Sequence, residues 1–153
     1  MGHTALVTGV MGQDGSYMAE LLLTRGYEVV GVEHNADNFR RGPALSAKIM
    51  CVVGDISEQN VVETLLKTHK PNEVYNFAAV SNVFAPHTDM SRTVLLNGMT
   101  PIYFLEYLRN CAPQTKFFQA SSSEMFALVS GAKNEESVML PRSPYGHAKL
   151  FAH

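Results

Sequence analysis

The 153-residue sequence predicts an α/β domain whose parallel strands are joined by crossover helices, and three observations predict it. Short β-branched runs alternate with amphipathic helical stretches along the whole chain. A glycine-rich turn sits between the first strand and the first helix. No internal repeat or low-complexity segment interrupts the alternation. Composition agrees, since 46% apolar and 17% charged residues suffice for one globular core.

The first strand is Thr4–Thr8, an apolar run that ends in glycine. A helix from about Asp14 to Thr24 follows, with Met18, Leu21 and Leu22 on one face and Gly26 as its stop. The second strand, Glu28–Val32, leads into a polar loop through Asn35, Asp37, Asn38, Arg40, Arg41, Gly42 and Pro43. The third strand, Ile49–Val53, ends at Gly54–Asp55, and Ser57 is expected to cap a helix running to about His69. Pro71 punctuates the turn beyond it. The fourth strand, Glu73–Phe77, enters Ala78–Ala79 and a long loop. A helix over about Thr93–Asn110 comes next, bounded by Pro113; Pro101 inside it predicts a kink or a later start. The fifth strand, Lys116–Ala120, delivers the run Ser121-Ser122-Ser123-Glu124. A loop rich in Gly, Asn, Glu and Pro leads to a last helix opening near Pro144 or Tyr145. His153 falls about two turns into that helix. The expectation is therefore a fragment of a longer protein, truncated after the fifth strand and the start of the next helix.

Charge excludes several functions. A net charge of −2 and a pI near 6.3 leave no footprint for nucleic acid or an anionic membrane. The one basic doublet, Arg40–Arg41, reads as a solvated loop. Cys51 and Cys111 lie in apolar surroundings without metal-ligand spacing, and read as reduced core or helix-end residues of a cytosolic protein. No apolar stretch approaches the ~18 residues of a membrane span. The N-terminus carries no signal-peptide pattern, so a cytoplasmic location is expected.

Thr8-Gly9-Val10-Met11-Gly12-Gln13-Asp14-Gly15 places three glycines at three-residue spacing between a strand and a helix. Gly9 permits the tight turn, Gly12 lets backbone N–H groups approach a pyrophosphate, and Gly15 lets the helix pack close to the strand. The helix N-terminus offers partial positive charge to the phosphates. The pattern is GxxGxxG, not the GxGxxG of ordinary dehydrogenases. Glu33, at the end of the second strand, is placed to accept hydrogen bonds from an adenosine ribose; a loop glutamate facing solvent is the alternative. A carboxylate there repels a 2′-phosphate and so favours NAD over NADP. Asp55, after the third strand, is placed to meet the adenine. The candidate cofactor-binding residues are Gly9, Gly12, Gln13, Asp14, Gly15, Glu33, Asp55, Ile56, Ala78 and Ala79.

Tyr145 and Lys149 form a YxxxK pair on one helix face. A free phenol is a poor base at neutral pH, but a neighbouring ammonium and a cationic nicotinamide ring stabilise its anion. Such a tyrosine can take a proton from a sugar hydroxyl while hydride leaves the same carbon. Ser122 is placed to donate a hydrogen bond to that hydroxyl. Glu124 goes further: losing water from a 4-keto sugar requires a base for the proton beside the carbonyl. A simple polar turn is the alternative for the serines, and a surface glutamate for Glu124.

The segments ALVTGVMGQDGSYMAELLLTRGYEV, VYNFAAVSNV, FFQASSSEMF and PRSPYGHAKL resemble the GDP-mannose 4,6-dehydratases. The resemblance implies a doubly wound, Rossmann-type parallel sheet. It also implies a smaller C-terminal domain, absent from this chain, that holds the GDP-sugar. It implies a triad of Ser122, Tyr145 and Lys149, with Ser122 where the family usually has threonine, and Glu124 as general base. The implied reaction oxidises the 4-position with bound NAD(P), eliminates water across positions 5 and 6, and returns hydride to position 6. The product would be GDP-4-keto-6-deoxymannose, and the enzyme a lyase; the fragment alone is expected to be inactive. The resemblance further implies NADP and a homo-oligomer. Several places depart from it. His34 and Asn35 stand where the family carries two arginines, Ser81-Asn82-Val83 where it reads SHV, Ala127 where it has glycine, and Pro101 where it has threonine. Two other readings stay open. One is a 4-reductase or epimerase on the same scaffold, against which Glu124 argues. The other is a non-catalytic dinucleotide sensor, against which the intact Ser122, Tyr145 and Lys149 argue.

Overall fold

The structure is a computed structural model that describes residues 2–81 and 90–153. Asn82 and Val83, named above among the departures from the family, lie outside the described residues. Five strands, β1 (Thr4–Thr8), β2 (Glu28–Glu33), β3 (Met50–Val53), β4 (Glu73–Asn76) and β5 (Lys116–Gln119), form one sheet in the order β3-β2-β1-β4-β5. Every pairing is parallel. The chain winds outward from β1 to one edge, then returns to the other side at β4, so a topological switch point lies between β1 and β4. This is the doubly wound sheet that the alternating pattern and the resemblance implied.

Side-chain alternation along β1 divides the core in two. Leu6 joins Val30, Val62, Leu66, Phe104 and Leu108 under helices α3 (Gln59–His69) and α5 (Thr100–Cys111). Ala5 and Val7 point to the opposite face and pack with Val10, Ala19 and Leu22 of the α1 side, where α1 is Gln13–Thr24. Burial of such side chains contributes about 1.5–3 kcal/mol each before the chain-entropy cost is counted.

Four local expectations are corrected. The polar stretch after β2 is not an open loop but a 3₁₀ turn, Ala36–Arg41, followed by the short helix α2 (Pro43–Ser46). The side chain of Asn35 accepts from the Asp37 N–H to start the turn, and Pro43 opens α2 where its missing N–H costs nothing. Ser57 does not cap α3, whose cap position is Glu58. The Ser57 N–H and hydroxyl both donate to Asp55 Oδ1 instead, at 3.0 and 2.7 Å. Cys111 is a helix-end residue as expected, the last of α5, but it is exposed, and Cys51 is neither core nor helix end: it is exposed on the edge strand. Finally, the helix after β4 starts earlier than expected, as α4 (Met90–Val94). It widens into a π turn over Leu95–Met99 before continuing as α5. Pro101 explains the interruption, because it offers no N–H to the turn before it and its ring crowds that turn's carbonyls.

The last helix, α6 (Pro144–Ala152), starts at Ser143, whose hydroxyl accepts from the Gly146 N–H at 3.0 Å. It packs across the π turn and the 3₁₀ turn Ser123–Phe126, while Phe151 stays 62% exposed.

Candidate functional site

The C-terminal ends of the central strands open into a cleft of about 620 Å³. All ten candidate cofactor residues, Gly9, Gly12, Gln13, Asp14, Gly15, Glu33, Asp55, Ile56, Ala78 and Ala79, line it. Gly9 makes the turn with φ at +62°, and a Cβ there would stand 2.9 Å from the Ala78 backbone. At Gly15 a Cβ would run into the Gly9 carbonyl, so only glycine lets α1 begin this close to the end of β1. The Gly12 N–H folds back onto the Gly9 carbonyl at 2.9 Å. The result is a wall of bare backbone beneath a helix N-terminus, a cradle that suits a pyrophosphate.

Glu33 is 7% exposed, so it is not a solvent-facing loop residue. Its Oε1 accepts from the Met11 N–H at 2.7 Å and its Oε2 from the Asn38 amide at 2.8 Å. The carboxylate thus ties the glycine turn to the 3₁₀ turn that forms the far wall of the cleft.

Asp55 sits across from it. Burial alone would raise its carboxyl, but the two bonds from Ser57 and the Arg92 guanidinium outweigh burial and hold it below the ordinary carboxylate range. Arg92 Nη2 lies 3.0 Å from Asp55 Oδ2. Arg92, Arg41, His34 and Asn38 all line the cleft, and the sequence reading gave none of them a role there. The Arg40–Arg41 doublet was the signal available for Arg41. It splits in the fold: Arg40 pairs with Asp37 at 3.1 Å, while Arg41 turns toward the cleft.

The proposed reacting groups are placed less uniformly. Lys149 is 3% exposed, and burial depresses its ammonium below the usual lysine range. Its Nζ donates to the Ala120 carbonyl at 2.9 Å and lies 5.8 Å from the centre of the Tyr145 ring. The spacing of YxxxK therefore does bring amine and phenol together on one face of α6. Tyr145 is half-buried, and neither it, Lys149 nor Glu124 lines the cleft. Ser122 lines a second hollow of about 470 Å³ with Ser121, Ser123 and Met125. Ser122 Oγ accepts from the Glu124 N–H at 3.2 Å, which leaves the hydroxyl proton available to a ligand. Glu124 rides on the 3₁₀ turn against α6, where a Cβ on Gly146 would stand 2.8 Å from the Glu124 carbonyl.

A buried polar chain joins the two regions across the sheet. The Thr8 hydroxyl donates to Asn76 Oδ1, and the Asn76 amide donates to Gln119 Oε1 at 2.7 Å. The Gln119 amide then donates to the same Ala120 carbonyl that holds Lys149. Thr8 is itself an acceptor for the Ala78 N–H at 3.2 Å. Asn97, 1% exposed in the π turn, accepts from the Val80 N–H and donates to the Val80 carbonyl, fixing the loop that leaves β4. Among the described residues no cluster of three or more His, Cys, Asp or Glu could hold a metal ion. No helix among them is long and apolar enough to cross a membrane.

A glycine-lined cleft at the switch point of a doubly wound parallel sheet defines a dinucleotide-binding domain of the short-chain dehydrogenase type. A family model described as GDP-mannose 4,6 dehydratase matches residues 6–153. The GDP-mannose 4,6-dehydratase of Vibrio cholerae is 37% identical over 100% of this chain and 44% of its own length. The human GDP-mannose 4,6 dehydratase is 33% identical over 99% of this chain and 44% of its own. Among solved structures, UDP-glucuronic acid 4-epimerase from Bacillus cereus, in complex with UDP-glucuronic acid and NAD, superposes with a TM-score of 0.81 at 28% identity. That match covers 97% of this chain and 49% of the epimerase. The chain belongs to the GDP-mannose 4,6-dehydratase family. It spans less than half the length of the curated relatives it matches.

Proposed function

We propose that the chain is the dinucleotide-binding portion of a sugar-nucleotide 4,6-dehydratase, a lyase that converts GDP-mannose to GDP-4-keto-6-deoxymannose. The observation that carries the reading is the buried Lys149 amine, held on the Ala120 carbonyl beside the Tyr145 ring within a chain matched by the dehydratase family. Gly9, Gly12 and Gly15 would cradle the pyrophosphate of a nicotinamide dinucleotide, with Asp55 and Ile56 toward the adenine and Ala78 and Ala79 toward the nicotinamide. When bound, that cofactor accepts hydride from the sugar 4-carbon and returns it at the 6-carbon. Tyr145, as a phenolate stabilised by the Lys149 ammonium, takes the 4-hydroxyl proton and becomes a phenol. Ser122 keeps its proton and donates a hydrogen bond to the same substrate oxygen. Glu124 removes the proton on the 5-carbon and delivers it to the 6-hydroxyl, which leaves as water. As hydride is returned at the 6-carbon, the 5-carbon regains a proton, and the one taken up by Tyr145 supplies the balance and restores its phenolate.

The NAD of the Bacillus cereus epimerase structure supports a nicotinamide dinucleotide here. Two features of the cleft pull its finer identity in opposite directions. The Glu33 carboxylate disfavours a 2′-phosphate and so favours NAD, whereas Arg41 supplies a cation on the same wall and agrees with the family's NADP. Affinities for the two forms, measured on the wild type and Arg41→Met, decide it. We place the GDP-sugar site in a C-terminal domain, because the relatives extend well past the matched region. The 153-residue chain should then bind dinucleotide without turning over GDP-mannose, and turnover by it alone would refute this division. A homo-oligomer fits the exposed Met90, Val94 and Leu105 along the α4–α5 helix. A cytoplasmic location fits the two unpaired thiols. In the full-length protein, Tyr145→Phe should abolish the 4-keto product. Glu124→Gln should oxidise the sugar without loss of water, and retained dehydration would reject the role given to Glu124.

A further inference from the structure

Arg92 is the charged residue of α4, and no motif gives it a task. It nonetheless reaches Asp55 at the mouth of the cleft. Asp55 Oδ1 is taken by the two Ser57 donors, so Oδ2 is the oxygen left to face a ligand, and its protein partner there is Arg92. The same helix grips the next residue of that loop. Thr100, fully buried, donates its hydroxyl to the Ile56 carbonyl at 3.0 Å.

These two grips require a particular helical phase. In an unbroken α-helix Arg92 and Thr100 would lie about 80° apart around the axis, near opposite margins of one face. The π turn over Leu95–Met99 adds one residue between them and closes the difference to about 20°. Pro101, which interrupts the ladder, sits immediately after Thr100. Sequence, helix geometry and cleft are thus linked.

We propose that Arg92 is a positioning residue for the purine end of the dinucleotide: it aims Asp55 Oδ2 at the exocyclic amine of adenine, in a phase set by the π turn beside Pro101. The inference rests on the dinucleotide reading given above. An ionised carboxylate is an acceptor only, so it favours adenine, whose 6-amine donates, and repels hypoxanthine, whose 6-carbonyl accepts. With Arg92 gone, the partly exposed Asp55 side chain keeps its Ser57 bonds but loses the partner that fixes Oδ2.

The test measures binding of NAD and NADP, and of their hypoxanthine counterparts, to the 153-residue chain by calorimetry. The wild type should prefer adenine by about tenfold, the scale of one charge-assisted hydrogen bond. Arg92→Met should bring that ratio to about twofold or less, and Arg92→Lys should recover part of it, because a single ammonium bond can still reach Asp55. Pro101→Thr, which restores an N–H to the ladder, should shift the ratio in the same direction as Arg92→Met. Thermal melts by circular dichroism check that each variant is folded; Arg92 is exposed, so its substitution should leave the melting point within a few degrees. An Arg92→Met protein that keeps the wild-type ratio overturns the proposal. A wild type that binds both bases equally overturns it while leaving dinucleotide binding intact. A wild type that binds none of the four ligands sinks the dinucleotide reading, and this one with it.

Discussion

Removing the Glu33 carboxylate tests whether this residue is a structural tie between the glycine turn and the 3₁₀ turn. In Glu33→Ala the Met11 N–H and the Asn38 amide lose their acceptors in a place that is 7% exposed. Each stranded donor costs about 1–3 kcal/mol, partly relieved by water entering the truncated site, so the expected loss is about 3 kcal/mol. For a chain of this length that lowers the melting temperature by roughly 6–12 °C. Glu33→Gln should cost only about 1 kcal/mol: its carbonyl can still accept from Met11, and Asn38 can turn its amide to meet the new NH₂. A double-mutant cycle with Asn38→Ala isolates the Oε2 bond, with a coupling of about 1–2 kcal/mol expected. Circular dichroism melts and urea titrations give the stabilities of all five proteins, the wild type included. An alanine variant as stable as the glutamine variant, or a cycle with no coupling, would refute the tie. The same proteins separate two roles by ligand: if Glu33 also repels a 2′-phosphate, Glu33→Gln should gain NADP affinity relative to NAD.

Gly15→Ala should destabilise the chain by about 2 kcal/mol or more and weaken dinucleotide binding, because the added methyl meets backbone that cannot move aside; unchanged melting and affinity would contradict the packing described. Asn76→Leu strands the Thr8 hydroxyl and Gln119 Oε1, and a loss of about 2 kcal/mol in urea unfolding is expected. Tyr75 is pushed up to about 12, first by burial and then by its bond to Glu73. The unfolded phenol loses its proton near pH 10 while the folded one keeps it, so this stabilisation is complete below pH 10 and is lost as pH rises toward 12. Tyr75→Phe should flatten that alkaline decline by about 1–2 kcal/mol, and an unchanged slope would show that the proton is not held.

Much of this architecture was legible because strand and helix periods differ. The β-branched runs and the glycine turn placed β1 to β5 within a residue or two. Pro101 correctly announced a break in its helix, but not that the break would be a π turn, since the ladder's accommodation depends on Thr100 and Asn97 finding partners outside it. The cleft wall was half legible. Gly9, Gly12 and Gly15 show themselves by conformational need alone. Arg92 and Asn38 do not, because a charge on a helix and an amide in a polar loop look like surface until β2 and β3 bring Glu33 and Asp55 beside them. Ser57 misled for a related reason: a serine before a helix usually caps it, but Asp55 two residues earlier offered a better acceptor for both its donors.

The line of amide groups from Thr8 to Ala120 gives the sheet's pairing a chemical meaning. Asn76 meets Gln119 because β4 and β5 are aligned at that rung. Sliding β5 by one step would carry the carbonyl that anchors the Lys149 amine about 3.3 Å along the strand and turn Gln119 to the other face. Where the amine stands therefore depends on the alignment of these two strands, and the same rung that pairs Asn76 with Gln119 sets the position of the cation.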